Sequence, residues 1–169
     1  MDTFTQSLNS ATDVSVVGFD PRFRADFAAL NIEWLQRWFV VEPFDHEVLN
    51  DPERFILAYG GHLLFAVDGE GHAIGTVALM QQREGVYELT KMAVAPDARG
   101  LGIGRALMDA ALDLYRRLDG HELFLESSSK LAPALALYES VGFRHHPAPR
   151  AGSHYARADV HMIWEPQAG

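Results

Sequence analysis

The segment Arg99-Gly100-Leu101-Gly102-Ile103-Gly104-Arg105 decides the fold, because it joins a strand pattern at residues 87–94 to the clearest helix pattern, at residues 102–118. The start of a helix leaves backbone N–H groups without partners, and the helix dipole adds partial positive charge there. The three glycines let an anion approach the backbone closely, and the two arginines add permanent charge. The segment therefore predicts a turn that binds phosphate.

Two other phosphate-binding motifs use similar residues at different spacings. A P-loop requires Lys and then Ser or Thr after its last glycine, whereas Gly104 is followed by Arg105 and Ala106. A strict dinucleotide-binding fingerprint requires a third glycine where this chain has Arg105 or Leu107. Both motifs are therefore excluded. The remaining alternative is a turn whose glycines only tighten the corner between strand and helix.

Short apolar runs separated by turn sequences predict the strands around this turn. They lie at residues 14–19, 63–67, 73–80, 87–94, 123–125, 143–145 and 158–164, with a further turn at residues 81–85. A connection of strand, helix and strand requires a parallel pair of strands. The order of elements therefore predicts an α/β fold with a mixed sheet.

Spacings of three and four residues predict the helices. They lie at residues 22–40, 45–49, 102–118 and 130–140, with another helix start at residues 51–52. Phe27, Leu30, Trp34 and Trp38 share the predicted apolar face of the first helix. The serines at residues 127–129 are predicted to cap the last helix, and the glycines at positions 120 and 142 to end helices.

The composition of the chain limits the possible classes of function. The chain has 169 residues, no cysteine and a formal charge of -9, which excludes disulfides and argues against nucleic acid as a partner. No apolar run is long enough to span a membrane. We therefore predict a cytoplasmic protein without a membrane partner, with residues 1–13 as a loose tail and residues 14–169 as one domain. His145, His146 and His154 lack acidic or cysteine partners at ligand spacing, so no metal is predicted.

Two motifs carry a family resemblance. Arg99-x-x-Gly102-x-Gly104, five residues after Val94, resembles the acetyl-CoA signature of the GNAT superfamily of N-acetyltransferases. The segment Ala134-Leu135-Ala136-Leu137-Tyr138-Glu139-Ser140-Val141-Gly142-Phe143 is similar to the second signature of that superfamily. The resemblance implies a mostly antiparallel, twisted sheet with helices on both faces, acetyl-CoA as co-substrate, and a homodimer as the expected assembly. It also implies that the whole turn, Leu101 and Ile103 included, contacts the pyrophosphate.

The resemblance also implies a role for the strand before the turn. In the superfamily this strand splays away from its neighbour, so pantetheine would pair with the backbone of Met92 and Val94. An N–H group of this stretch would donate to the thioester carbonyl. Such a donor stabilises the developing oxyanion, often by roughly 3 kcal/mol.

Glu88 is the candidate general base for the amine. It lies six residues before Val94, where many members of the superfamily carry a catalytic glutamate. Alternation along a strand without a bulge puts Glu88, Thr90, Met92 and Val94 on one side, facing the same cleft. The alternative is a strand carboxylate that pairs with Lys91 or an arginine. In many relatives a chain of water molecules replaces a single base.

Tyr138 is the candidate general acid for the thiolate of coenzyme A. A phenol is protonated at neutral pH and can donate to a sulfur anion. The alternative is a core tyrosine, because position 138 continues the apolar face of the last helix. Leu131 stands where many superfamily members carry Asn. Ser129 and Lys130 are therefore candidates for cofactor contacts, with helix capping as the alternative for the serine.

The acceptor side of the site is less constrained by the sequence. In the superfamily, the first two helices and the loop between them wall the acceptor site. Here they carry carboxylates near Trp34 and Trp38 that suit a cationic amine or form a solvated face, namely Glu33, Glu42, Asp45 and Glu47. Arg22, Arg24 and Arg37 would suit a substrate carboxylate instead.

The two function hypotheses differ in whether the chain turns over its ligand. The first is an N-acetyltransferase that moves an acetyl group from acetyl-CoA to a primary amine of a small molecule or peptide by direct attack. The second is a non-catalytic module that binds or senses acyl-CoA. Tyr138 and Glu88 favour the enzyme.

Overall fold

A seven-stranded sheet forms the centre of the protein. The computed structural model describes residues 13–153 and 155–166. The predicted tail lies outside these residues except for Asp13, and so does His154. The strands are β1 (Ser15–Gly18), β2 (His62–Val67), β3 (Ala73–Arg83), β4 (Val86–Val94), β5 (Glu122–Ser127), β6 (Phe143–His146) and β7 (Val160–Trp164), in the spatial order β1-β2-β3-β4-β5-β7-β6.

The pairing of the strands confirms the predicted mixed sheet. Strands β1 to β4 form an antiparallel meander, and β5, β7 and β6 are also antiparallel to one another. Only β4 and β5 run parallel. The α-helices are α1 (Arg24–Trp38), α2 (Pro43–Asn50), α3 (Pro52–Phe55), α4 (Ile103–Arg117) and α5 (Ala132–Val141). None of the helices within the described residues is long and apolar enough to cross a membrane.

Two hydrophobic clusters lie on opposite faces of the sheet. On one face, Leu107 and Met108 of α4 belong to the same cluster as Val77 and Leu79 of β3. On the other face, Phe27 of α1 and Leu49 of α2 pack in a cluster with Phe65 of β2. This arrangement confirms the predicted helices on both faces of the sheet.

The buried face of α1 differs from the predicted one. Phe27, Asn31 and Leu35 are its buried residues, and Trp38 is 48% exposed. Asn31 is accommodated in the interior because its side-chain amide donates to the Phe27 carbonyl over 3.0 Å. Phe27 is buried as predicted and Trp34 packs against the same cluster, whereas Trp38 lies near solvent.

Several predicted element ends are also corrected. Strand β3 continues to Arg83, so the predicted turn at residues 81–85 is confined to Glu84 and Gly85. Helix α4 is followed by Asp119 in the left-handed region, with φ 54°, rather than by Gly120 in that role. Gly142 ends α5 as predicted, with φ 113°. The serines do not cap α5, because its N-cap is Leu131 and no side chain makes a capping hydrogen bond.

Candidate active site

The parallel strands β4 and β5 separate after a short stretch of pairing. Only Val86 to Glu88 pair with Glu122 to Phe124, and the residues of β4 after Glu88 have no partner on β5. A cavity of about 290 Å³ opens where the strands diverge. Its walls come from residues 88–94 of β4, residues 126–128, and side chains of α1, α5 and the segment before β7. The predicted splay of the strand before the glycine turn is therefore present.

A β-bulge at Lys91 changes which side chains face the cavity. Thr90 pairs with Ala78 and Ala93 pairs with Thr76, so two residues of β4 oppose the single residue between them on β3. Lys91 adopts φ 57°, in the left-handed region.

The alternation predicted for β4 is wrong beyond this bulge. Glu88 and Thr90 lie on the sheet face covered by α1, because Thr90 is opposite Ala78 of the cluster that contains α1. Met92 and Val94 instead pack against the cluster on the α4 face. The bulge inserts one residue between the two pairs, so the side chains of Met92 and Val94 point away from the carboxylate of Glu88.

The glycine turn leads directly into α4. Gly100 and Gly102 have φ values of 82° and 78°, and Gly102 is the N-cap residue. The first hydrogen bond of the helix runs from Ala106 N to Gly102 O over 3.0 Å. The N–H groups of residues 103–105 therefore have no partner within the helix. A Cβ atom added at Gly100, Gly102 or Gly104 would meet no heavy atom within 4 Å, so no neighbouring described residue fills the space beside this turn.

The side chains around the turn have separate environments. Arg99 lines the cavity and donates to Glu33 of α1 over 2.8 Å. Arg105 does not line the cavity and donates to Asp109 over 3.1 Å. Leu101 is 63% exposed, whereas Ile103 is buried in the core, so only the backbone of Ile103 is available to a ligand.

Glu88 lies at the closed end of the cavity, where the two strands begin to separate. Burial raises its pKa to about 7; the positive charges of Lys91 and Arg150 lower it, and the negative charge of Glu126 raises it. Gln82 of β3 donates to Glu88 Oε1 over 3.0 Å. A carboxylate with a pKa near neutrality suits a general base at neutral pH.

Tyr138 reaches the cavity from α5. Its ring packs edge-on against Phe143, with the centroids 6.1 Å apart, and it lines the cavity together with Leu131 and Ala134. Burial raises the pKa of its hydroxyl to about 12, so this hydroxyl is protonated throughout the physiological range. The ring of Tyr138 contacts the core while the side chain lines the cavity, and its role as general acid stays a prediction.

A buried network of charged side chains was not predicted from the sequence. Asp45 of α2 is fully buried, and Arg157 binds both of its oxygens over 2.9 Å. Lys91 Nζ lies 3.5 Å from Asp45 Oδ1 and donates to the Tyr155 hydroxyl. Burial lowers the pKa of Lys91, and the negative charge of Asp45 opposes this effect. The sequence signal was weak, because these residues are 46 to 112 positions apart.

This network shows where the carboxylates suggested for acceptor binding lie. Asp45 and Glu42 both bind Arg157, and Glu33 binds Arg99. These three carboxylates are therefore already paired with arginines of the protein. The arginines suggested for a substrate carboxylate are exposed, and they contact Phe23, Glu53 and Glu33 rather than the cavity.

The remaining candidates lie at the edge of the cavity or outside it. Ser129 donates from its N–H and hydroxyl to Asp159, over 2.8 and 2.7 Å. His145 and His146 contact Glu139 and Glu165 near the surface. Within residues 13–153 and 155–166, no group of three His, Asp or Glu side chains could hold a metal ion.

Comparison with known proteins gives a consistent result. Residues 28–143 match the model of the Acetyltransferase (GNAT) family. An uncharacterized N-acetyltransferase of Schizosaccharomyces pombe is 30% identical over 76% of this chain and 85% of its own length. A mycothiol acetyltransferase of Geodermatophilus obscurus is 37% identical over 57% of this chain but only 30% of its own length.

Solved structures share the fold at lower sequence identity. A GNAT-family acetyltransferase of Staphylococcus aureus superposes with a TM-score of 0.80 at 18% identity, covering 89% of this chain and 97% of the other. The yncA protein of Salmonella typhimurium, solved with its cofactor acetyl-CoA, superposes with a TM-score of 0.68 at 18% identity, covering 93% and 97%. With the family match over most of the chain, these findings identify an acyltransferase. The protein belongs to the Acetyltransferase (GNAT) family.

Proposed function

We propose that this enzyme moves an acetyl group from acetyl-CoA to a primary amine of a small molecule or peptide by direct attack. The observation that carries the proposal is the cavity at the divergence of β4 and β5. Glu88, Tyr138 and the unpaired part of β4 all line it. A base, an acid and free backbone donors are the groups that acyl transfer to an amine requires.

The proposed site for acetyl-CoA follows the same geometry. The pyrophosphate would lie against the turn of residues 99–105, where three helix N–H groups and the glycine backbone face open space. The pantetheine arm would pair with β4 near Met92 and Val94, because no strand pairs with that side of β4. Arg99 and Arg105 would bind phosphate after exchanging their present carboxylate partners. Ser129 lies near the edge of the cavity, and its binding role stays a proposal.

The chemical step uses the residues of the cavity in fixed roles. The carboxylate of Glu88 accepts a proton from the ammonium group of the acceptor, and the neutral amine then attacks the thioester carbonyl carbon. An N–H group of β4 stabilises the oxyanion, and the C–S bond breaks as the carbonyl reforms. The hydroxyl of Tyr138 protonates the departing thiolate, and the second proton, which the nitrogen loses as the amide forms, restores the Tyr138 hydroxyl. Its pKa of about 12 keeps this proton available until the thiolate forms.

A thiol-release assay tests this function. The full-length protein is incubated with acetyl-CoA and a panel of primary amines that includes polyamines, amino acids and peptides with free N-termini. We expect at least one amine to release coenzyme A well above the rate of hydrolysis, and mass spectrometry to detect its acetylated product. Tight binding of acetyl-CoA without release of thiol for any amine would contradict the proposal and would favour a binding module.

A further inference from the structure

Two buried polar atoms lie side by side on the sheet face that carries Glu88. Glu126 of β5 is directly opposite His161 of β7 in the antiparallel register. Side chains at such positions share a face and have Cβ atoms about 4.5–5.5 Å apart. Glu126 is two residues beyond Phe124, which is opposite Glu88, so all of these side chains lie on the same face. Glu126 also lines the cavity.

Neither of these two atoms has a hydrogen-bond partner. Among the buried side-chain nitrogen and oxygen atoms of the described residues, only Glu126 Oε1 and His161 Nε2 make no hydrogen bond. A buried polar atom without a partner costs about 1–3 kcal/mol, so it is rare in native proteins unless a ligand or water completes it. Two such atoms on adjacent strands indicate that a single ligand or water molecule, called the occupant below, binds to both of them.

The hydrogen bonding of His161 indicates whether this occupant acts as a donor or an acceptor. Its Nδ1 lies 3.1 Å from the Pro147 carbonyl oxygen, which can only accept a hydrogen bond. Nδ1 therefore carries a proton, and in the neutral ring Nε2 presents a lone pair. Glu126 Oε1 is also an acceptor. With the ring neutral, an occupant that offers at least two N–H or O–H donors satisfies both atoms together.

The charges nearby favour a cation as this occupant. Glu88 and Glu126 bring two carboxylates to the face, and neither forms an ion pair within the described part of the chain. Lys91 and Arg157 are bound to Asp45, and Arg150 stacks on Phe124 with its centre 3.8 Å from the ring centroid, donating to the Ala151 carbonyl. An alkylammonium group supplies three donors and a positive charge.

We propose that Glu126 and His161 form the subsite that binds the ammonium group of the acceptor and presents it to Glu88. This inference rests on the proposed acetyl transfer and names its acceptor as a primary alkyl amine that binds in its charged form. Glu126 and Glu88 then have distinct roles. Glu126 holds the ammonium group, and Glu88 removes its proton at the divergence of the strands.

An amine titration tests the subsite without requiring turnover. The full-length protein, labelled with ¹⁵N, is titrated with n-propylammonium chloride, with and without coenzyme A, while the ring nitrogens of His161 are followed by NMR. We expect saturable shifts at His161 Nε2. Tetramethylammonium chloride carries the same charge but has no N–H donor, and we expect it to cause no such shift.

The Glu126→Gln variant provides the decisive comparison. Loss of the carboxylate should weaken n-propylammonium binding at least tenfold, since a hydrogen bond between charged groups is worth about 1.5–3 kcal/mol. Glu70→Gln, in the exposed turn between β2 and β3, removes the same charge and should bind as the wild type does. His161→Phe is a second variant, which keeps a ring but loses the acceptor, and it should also weaken binding. Thermal melting confirms that each variant is folded.

Two outcomes would overturn the subsite. One is n-propylammonium binding to Glu126→Gln as tightly as to the wild type. The other is an unchanged His161 ring during the titration, which would indicate that only water occupies this position. Either result leaves the thiol-release assay unaffected, because that assay does not depend on which residues hold the amine. Conversely, binding of the amine without any acetyl transfer would support the subsite and contradict the proposed function.

Discussion

Glu88 lies opposite Phe124 at the last register position that β4 and β5 share. Beyond this pair the strands diverge, so the carboxylate of Glu88 is at the closed end of the cavity while the glycine turn is at the far end of β4. Pairing within the sheet buries the Glu88 side chain, and this burial raises its pKa. Pairing with β3 also holds the part of the β4 backbone that follows Glu88. The position of Glu88 and the unpaired side of β4 beyond it therefore have one structural cause, the divergence of β4 from β5.

The role of Tyr138 as general acid predicts a loss of rate without a loss of binding. We expect Tyr138→Phe to lower kcat by about 100-fold or more, because the thiolate then leaves without a proton donor. The dissociation constant of acetyl-CoA, measured by calorimetry, should be unchanged, because the ring still packs against Phe143. Tyr59→Phe removes the hydroxyl of a tyrosine that is 68% exposed and serves as the control. An unchanged kcat in Tyr138→Phe would remove the acid role.

The open space in front of α4 predicts that a side chain at Gly104 blocks the cofactor. We expect Gly104→Leu to raise the dissociation constant of acetyl-CoA at least tenfold while the melting temperature is maintained. No atom lies where its Cβ would go, and leucine is a better helix former than glycine by about 1 kcal/mol.

Gly18→Leu on β1 is the matched control for this substitution, because its Cβ would also meet open space, far from the turn. Calorimetry with acetyl-CoA measures both variants. Wild-type affinity in Gly104→Leu would show that the turn does not hold the pyrophosphate.

The buried pair of Asp45 and Arg157 predicts a stability effect that depends on pH. Burial raises the pKa of Asp45, but the hydrogen bonds from Arg157 and from the Glu42 N–H lower it, and their net effect keeps the pKa below its usual value. A lowered carboxyl pKa stabilises the folded state above the unfolded value of about 3.9, and this stabilisation is lost as the pH falls through the folded value.

We therefore expect Asp45→Asn to lower the free energy of unfolding at pH 7 by about 3 kcal/mol, because Lys91 loses its carboxylate partner and Arg157 keeps only its contact with Glu42. Urea unfolding at pH 7 and in steps below pH 4 measures this difference, which should shrink at the lower pH. Asp113→Asn removes an exposed partner of Arg116 and should unfold close to the wild type. Equal stability of Asp45→Asn and the wild type at pH 7 would contradict the stabilising role of this pair.

Local sequence signals predicted much of the fold and part of the site. The glycine turn, the strand before it and the helix after it are determined by residues close together in the chain, and all three are confirmed. The positions of Glu88 and Tyr138 at one cavity followed from motif spacing. Such features are readable because hydrophobic periodicity and glycine placement act over a few residues.

The bulge at Lys91 could not be predicted from such signals. Its left-handed backbone conformation occurs at a residue with no local preference for it, and it accompanies contacts of Lys91 with Asp45 and Tyr155, which are 46 and 64 positions away. The burial of Asn31 in place of Trp38 likewise depends on how α1 lies against the sheet. Both the bulge and the burial of Asn31 depend on tertiary packing, so they could be found only in the structure.

The pH dependence of kcat/KM tests whether Glu88 takes the proton of the acceptor amine. With the best amine of the panel, kcat/KM of the wild type should rise with pH through a midpoint near 7 and then level off. The reaction requires ionised Glu88 and the ammonium form of the amine. The rate therefore rises as Glu88 loses its proton, and it levels off because the amine has a pKa of about 10.4 and keeps its proton there. Glu88→Gln should lower kcat/KM by about 100- to 10,000-fold and abolish this midpoint. A Glu88→Gln profile with the rate and the midpoint of the wild type would contradict the role of Glu88 as the base.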